Sequence, residues 1–333
     1  MRLSKSRWLE FVVAALSATM LLWPGAGVAQ PYPSKPIKYV VPFPPGGPLD
    51  VFSRVLTPMM SEQLGQPVVV ENIPGANAGI GMDRVAKSLP DGYTIGLANT
   101  GAFAINPALY GSRLPYDSLR DFTHIALVVT YVNILVVPPD LPVKTVADLV
   151  AYAKANPGKV SFGSAGNGSS NHLSGEILKS LTGSPMEHVP YKGSGPALTD
   201  VIAGRLTFMF DALNTSVQQI RGGRVRALAV TSAKRSGFVP DVPTMDESGV
   251  PGYAEAGSDL WWGVVGPAGL PRSVSDKLNE HIVRVMRSPA MAERLKAQYV
   301  DAWPSSSEEF RKVVASDLTK WDKIVKASGA KVD

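Results

Sequence analysis

The chain has 333 residues, of which 45% are apolar, and carries a formal net charge of +5 and no cysteine. No cluster of Lys or Arg occurs, which argues against a nucleic-acid or membrane-surface protein. The missing cysteines exclude disulfides, thiolate metal sites, cysteine catalysis and a lipoprotein thiol anchor. Length and apolar content predict two domains of ordinary size.

The N-terminus reads as a secretory leader. Arg2, Lys5 and Arg7 precede Phe11–Leu22, a run of 12 residues without a charge, and Gly27 and Ala29 supply the small residues for a cut after Ala29. An uncleaved anchor is the alternative, but the run falls short of the roughly 20 apolar residues that span a bilayer. Cleavage removes three basic groups and Glu10, lowering the net charge from +5 to +3 on 304 residues. Such a charge steers small anions only weakly.

Ile37 to Leu64 reads as strand, glycine turn and helix. A β-branched and aromatic run, Ile37 to Val41, stops at Pro44-Pro45-Gly46-Gly47, and after Pro48 apolar residues recur at helical spacing until Leu64-Gly65. The free N–H groups of such a helix start favour a carboxylate or phosphate guest. With no basic residue between Lys38 and Arg54, backbone amides must hold it. Asp50, in the first turn of that helix, reads as a cap or a ligand contact.

Val68–Val70 is the next predicted strand, Gly79–Leu89 a helix, and Tyr93–Leu97 a strand ending at Asn99 and Thr100. Strands separated by helices imply a parallel sheet, whose ligands bind beyond the strand C-termini. Phe43–Asp50, Pro74–Ala78 and Asn99–Asn106 therefore fall on one rim. His124–Val129 then runs almost directly into Asn133–Val137, and Thr130-Tyr131 between them reads as the first hinge.

The second half repeats the alternation. Thr145 and Asp148 form a capping-box pattern, and Asn156-Pro157-Gly158 stops that helix. A second uncharged cradle follows at Val160–Leu178, where Ser164, Asn167, Ser169 and Ser170 add hydroxyl and amide donors to the backbone ones. Two such cradles on two halves of one chain imply a cleft between domains. The remaining predicted elements are a strand from Glu187 to Tyr191, a helix near Pro196–Ile202, a strand from Leu206 to Phe210, a helix near Val217–Ile220 and a strand from Arg226 to Thr231. Tyr191–Pro196 makes a third glycine turn, in which Lys192 is the only basic residue. Asp211, at the end of its strand, reads either as a turn cap or as a discriminator favouring ligands with an amino or hydroxyl donor.

Val239–Pro251 looks like a surface connection, and Leu260–Val265 like a returning strand in which Trp261 and Trp262 pack in the core or hinge. Helices close the chain, at Val274–Met286 and after Ser306. The last one places Phe310, Val313, Val314, Leu318, Trp321 and Val325 on one stripe, which should cover the first domain.

Catalytic and cofactor signatures are missing: no G-x-S-x-G elbow, Walker loop, G-x-G-x-x-G or H-E-x-x-H occurs. The four histidines have no metal-ligand spacing. No cofactor and no metal is expected. The competing enzyme reading is an exported hydrolase using Ser169, His172 and Asp211.

Phe43-Pro44-Pro45-Gly46-Gly47 with Asp50, Gly163–Ser169 with His172-Leu173, His188–Gly193, Leu228–Thr231 with Arg235, Asp241–Thr244 and Pro251-Gly252-Tyr253 together resemble the Bug family, the extracytoplasmic receptors of tripartite tricarboxylate transporters. The similarity runs over nearly all of the mature chain. It implies an α/β periplasmic binding protein of class II type, with two lobes, each a mainly parallel sheet flanked by helices, and a ligand cleft between them. Residues 30–131 and 253–333 would form the first lobe and 132–252 the second. The resemblance further implies lobe closure on a small organic carboxylate, delivery to membrane permease subunits, and no catalysis, with the periplasm as location and a monomer as the working form. Phe43, Pro45, Gly46, Gly47 and Asp50 match the first-lobe turn, with Asn99 and Thr100 beside them on the rim. Ser164, Asn167, Ser169, Ser170 and His172 match the second-lobe turn, with Tyr191 nearby and Asp211 on its rim. A ligand-sensing module for a signalling partner shares the same cleft and stands as a further alternative.

Overall fold

The computed structural model describes residues 32–256, 260–328 and 330. The leader and its cut after Ala29 lie outside them. From Lys35 onward the chain forms one compact unit, built on two separate sheets flanked by helices.

The first sheet grows around β1 (Ile37–Val41), whose β-branched and aromatic side chains are buried except at Lys38. Parallel neighbours flank it, β2 (Val68–Asn72) on one side and β3 (Thr94–Asn99) on the other. Helix α1 (Pro48–Leu64) links β1 to β2. Pro48 sits in its first turn, where the missing N–H costs nothing, and left-handed Gly65 closes it by donating to the Ser61 carbonyl. Helix α2 (Gly79–Ala86) links β2 to β3. The chain then passes through one π-helical turn (Gly101–Ile105) and α3 (Asn106–Tyr110) into β4 (Phe122–Tyr131).

Only Val132 separates β4 from β5 (Asn133–Val137), which belongs to the second sheet. There follow α4 (Val146–Ala155), β6 (Ser161–Ser164), α5 (Ser170–Thr182), β7 (Glu187–Pro190), α6 (Ser194–Ile202), β8 (Phe208–Ala212), α7 (Leu213–Arg221) and β9 (Arg226–Val230). The chain returns through β10 (Leu260–Pro267), then α8 (Arg272–Met286), α9 (Pro289–Ala297), β11 (Asp301–Ala302) and α10 (Ser307–Ser328). Strand order is β11-β4-β10-β3-β1-β2 in one sheet and β7-β6-β8-β5-β9 in the other.

The parallel pairs, β1 with β2 and β3, and β6 with β7 and β8, join strands of the alternation within one sheet. Antiparallel pairs arise where the chain crosses between the sheets, because a crossing strand has no helix to carry it back. Strand β4 ends at the crossing, β10 begins there with Leu260 opposite Tyr131, and the two must run in opposite directions. Strand β5 likewise leaves the crossing while β8 and β9 arrive at it, so Asn133 faces Ala212 and Ile134 faces Val230.

Each sheet has its own core. Met82, Val85, Phe103, Trp261, Phe310 and Val314 pack on the first, and Ile134, Val136, Leu198, Val201, Met209 and Val217 on the second. The stripe of α10 does cover the first sheet, and the helix also packs on α5 of the second half. Two expectations need correction. Val239–Pro251 is not simply surface: Thr244 bridges Val230, and Met245 and Val250 are buried, so the segment extends the second core. Helices close the chain at three places, since α9 stands between the two foreseen, and Gly101–Tyr110, to which no element was assigned, is helical.

Candidate ligand-binding site

A cavity of about 310 Å³ lies between the two sheets and is lined from both. Four helix starts meet there: Gly47 to Leu49 at α1, Ser169 to Asn171 at α5, Gly193 to Pro196 at α6, and Ala212 with Thr215 at α7. The first N–H groups of a helix have no partner within it and carry partial positive charge. Lys192 is the only charged residue among those lining the cavity. Phe43, Tyr131 and Trp262 give the opposite wall an aromatic surface, with Tyr131 and Trp262 5.2 Å apart and Phe52 backing the indole at 5.4 Å. An apolar body with an anionic head fits these walls.

The first-lobe turn is shaped by Asp50. Its carboxylate is almost fully buried and accepts from the Gly46 N–H, from Arg54 Nε and from Asn72 Nδ2, each at 2.9 Å. Burial raises its pKa, but the bonds from Arg54, Gly46 and Asn72 outweigh that and hold it below the usual carboxylate range. Asn72 also donates to the Phe43 carbonyl at 3.0 Å, tying the start of the turn to the same carboxylate. Left-handed Gly46 lets the turn close.

The second-lobe turn is held from behind by two stacked imidazoles. The rings of His172 and His188 lie 3.8 Å apart, His172 Nδ1 accepts the Gly168 N–H at 3.1 Å, and His188 Nε2 meets Ser164 Oγ at 2.6 Å. Burial, reinforced by His188 and by Lys179, pushes His172 down to about 3. Burial and Lys179 push His188 down to about 4. Both are neutral at pH 7. Left-handed Gly168 is where the halves touch: a Cβ there would stand 2.8 Å from Leu109 Cδ1 and 2.9 Å from Asn77 Nδ2. Asn77 and Asn106 are locked by reciprocal 2.8 Å bonds, so that surface is rigid.

Seven residues singled out in the sequence line the cavity: Phe43, Pro45, Gly46, Gly47, Asn99, Ser169 and Ser170. The other seven stand outside its lining. Asp50 caps the turn, as above. Thr100 is fully buried and accepts the Trp261 N–H at 2.9 Å, pinning β10 to the end of β3. Ser164 and His172 are consumed by the imidazole stack, and Asn167 sits in the loop beside it. Tyr191 turns away to donate to Asp200 at 2.6 Å. Asp211 lies inside β8 rather than at its end, with no exposed surface. Its Oδ2 takes the hydroxyls of Thr215 at 2.5 Å and Ser216 at 2.7 Å. The strand begins and ends two residues later than its apolar run because Leu206 and Thr207 belong to the preceding turn.

The Ser169, His172 and Asp211 of the hydrolase alternative do not form a relay. Ser169 Oγ donates to the Gly166 carbonyl at 2.7 Å, and His172 Nδ1 is occupied by Gly168. Asn77 comes from the rim segment Pro74–Ala78, whereas Tyr131, Trp262, Asn171 and Thr215 join the lining unforeseen. Residues 131 and 262 meet only because β10 returns beside β4.

Two helix-flanked lobes around a cavity suited to an anion define a bilobal solute-binding protein. The chain belongs to the tripartite tricarboxylate transporter family receptors, whose family model matches residues 52–330. It is 37% identical to Protein BugT of Bordetella pertussis over 313 residues, covering 92% of this chain and 95% of that one. Among solved structures it resembles Rpa4515 of R. palustris with adipate, at TM-score 0.85 and 34% identity, over 90% of this chain and all of that one. It also resembles MatC from Rhodopseudomonas palustris with bound malate, at TM-score 0.82 and 30% identity, over 88% of this chain and all of that one. The family is one of periplasmic solute-binding receptors, and two of its structures hold carboxylates.

Proposed function

We propose that this protein is a periplasmic receptor that captures a small organic carboxylate by closing residues 30–131 with 253–333 against residues 132–252, and hands it to the membrane permease of a tripartite transporter. Four helix starts and Lys192 around a cavity without an acidic lining residue carry this reading. The adipate and malate held by its relatives support it. Export follows from the leader, with cleavage after Ala29, and a monomer suffices because one chain supplies the whole lining. The work is binding and release, without catalysis.

A micromolar receptor needs about −8 kcal/mol. A few charge-assisted hydrogen bonds at roughly 1.5–3 kcal/mol each supply it when the site is largely preformed. Leu49, Ser170, Asn171, Ser194 and Gly195 offer backbone N–H groups near the cavity, whereas Gly46 has already given its own to Asp50. Calorimetry with mono-, di- and hydroxycarboxylates tests the reading, with the matching methyl esters as controls. Acids should bind and protect against thermal unfolding, by about 2.7 kcal/mol at a hundredfold excess over Kd, and Lys192→Gln should weaken them severalfold. Esters binding as well as their acids would overturn the carboxylate assignment.

A further inference from the structure

Every hydroxyl has one proton, and where it goes decides what the hydroxyl can offer a ligand. Two hydroxyls of the second lobe that line the cavity, Thr215 and Ser169, have their one proton already committed to the protein. Thr215 Oγ1 lies 2.5 Å from Asp211 Oδ2 and 2.8 Å from the Ala212 carbonyl, and both are acceptors. Whichever takes the proton, Thr215 meets the cavity as an acceptor. Ser169 Oγ gives its proton to the Gly166 carbonyl at 2.7 Å and is left with lone pairs. Asn171 is 5% exposed and gives one N–H of Nδ2 to the Phe210 carbonyl at 2.8 Å, which leaves Oδ1 as an acceptor beside its second N–H.

Backbone amides and Lys192 supply donors on this side of the cavity, and Thr215 and Ser169 set acceptors beside them. An acid lacking any O–H or N–H would satisfy the first set and leave the second facing carbon, at the cost of desolvated, unpaired oxygens. Asp211 keeps this polarity in place. It sits behind the wall with no exposed surface, and its Oδ2 receives Thr215 together with the fully buried Ser216.

We propose that the second-lobe wall selects carboxylic acids carrying a hydroxyl or amino donor, with Thr215 as the specificity-determining acceptor and Asp211 as the positioning residue that turns its proton away from the cavity. This rests on the carboxylate reading and narrows it to donor-bearing acids. The discrimination originates in a residue that need not touch the ligand.

Matched acids test the proposal on the purified receptor: succinate, malate, aspartate and 2-methoxysuccinate as one series, and 3-phenylpropanoate, 3-phenyllactate, phenylalanine and 2-methoxy-3-phenylpropanoate as another. In the series that binds, the hydroxy or amino acid should bind about tenfold tighter than the unsubstituted one, the worth of one well-made hydrogen bond. The methoxy acid, which keeps the oxygen but not the proton, should lose that gain. Thr215→Val should bring the ratio of substituted to unsubstituted affinity close to one, and Thr215→Ser should restore it. Asp211→Asn, whose amide can donate to Thr215 and release the threonine proton, should shift preference toward the methoxy acid. Equal binding of unsubstituted, hydroxy, amino and methoxy acids, or a ratio unmoved in Thr215→Val, overturns this inference and leaves the carboxylate reading standing. No binding by any acid overturns both.

Discussion

Asp50→Ala separates a carboxylate that holds the first-lobe turn from one that holds the ligand. In the structure the group is buried and receives three protein donors, among them the Gly46 N–H of the turn and Asn72 Nδ2 from the end of β2. Hydrogen bonds to a charged group contribute roughly 1.5–3 kcal/mol each, and two on one carboxylate do not add fully. The Arg54 bond is discounted because that guanidinium is solvent-exposed. A loss of about 2–4 kcal/mol in urea unfolding is expected, with about half of it in Asp50→Asn, which keeps one acceptor oxygen. The sign of the pH dependence follows from the depressed pKa of the folded state. The stabilisation is present above the unfolded carboxyl value of about 4 and disappears as pH falls through the folded value, so wild type and Asp50→Ala should converge in acid. Affinity for the acid should fall too, since Phe43 to Gly47 lose their tether. A stability change below about 0.5 kcal/mol at pH 7 with affinity abolished would refute this reasoning and return Asp50 to direct ligand contact.

Gly168→Ala should weaken ligand binding by on the order of tenfold, because its methyl meets Leu109 and the locked Asn77 amide across the cleft and its left-handed backbone resists a side chain. Small-angle scattering with saturating acid should show the variant more open than wild type, and an unchanged profile would sink the contact as a closure point. Gly81→Ala should cost about 1–3 kcal/mol in urea unfolding, since its Cβ would stand 2.7 Å from the Ile73 carbonyl and 2.7 Å from Pro42, which leads into the turn at Phe43. Stability should drop on acidification from about pH 6.5 to about pH 4. Burial holds His124 at about 4, with Arg311 contributing, and His172 and His188 are depressed as described, so the unfolded chain binds protons that the folded one refuses. The slope approaches 1.4 kcal/mol per pH unit for each such histidine. His188→Gln should flatten it, and a slope the same as wild type would dissociate the imidazole stack from acid unfolding.

Local chemistry was legible in the sequence, and distant pairings were not. The turn Pro44 to Gly47 and the Thr145 and Asp148 box depend on residues within a few positions, and each forms, with both bonds of the box present. Gly101–Tyr110 escaped because almost all of it is buried and no polar face interrupts it. The hydrophobic period that marks a surface helix vanishes when a helix is surrounded. Asp211 was placed at the end of its strand, but a strand edge cannot be located from an apolar run when buried turn residues such as Leu206 prolong that run.

The aromatic wall shows the same limit more sharply. Tyr131 and Trp262 are neighbours only through the antiparallel register that sets Trp262 opposite Val129 and Leu260 opposite Tyr131. Nothing local in either segment announces that register. The reason lies in the connection itself: a chain that enters the second half on one strand and returns on another must lay the two side by side at the crossing. That crossing is also where β8 and β9 deliver their C-terminal ends. The arrangement that permits two lobes to share a hinge therefore also brings aromatic side chains from the crossing strands opposite the helix starts of the second sheet. A cavity apolar on one side and amide-lined on the other follows from this connectivity before any ligand preference is added. The preference itself is then left to single side chains such as Thr215, whose hydroxyl is held by the buried Asp211 behind it.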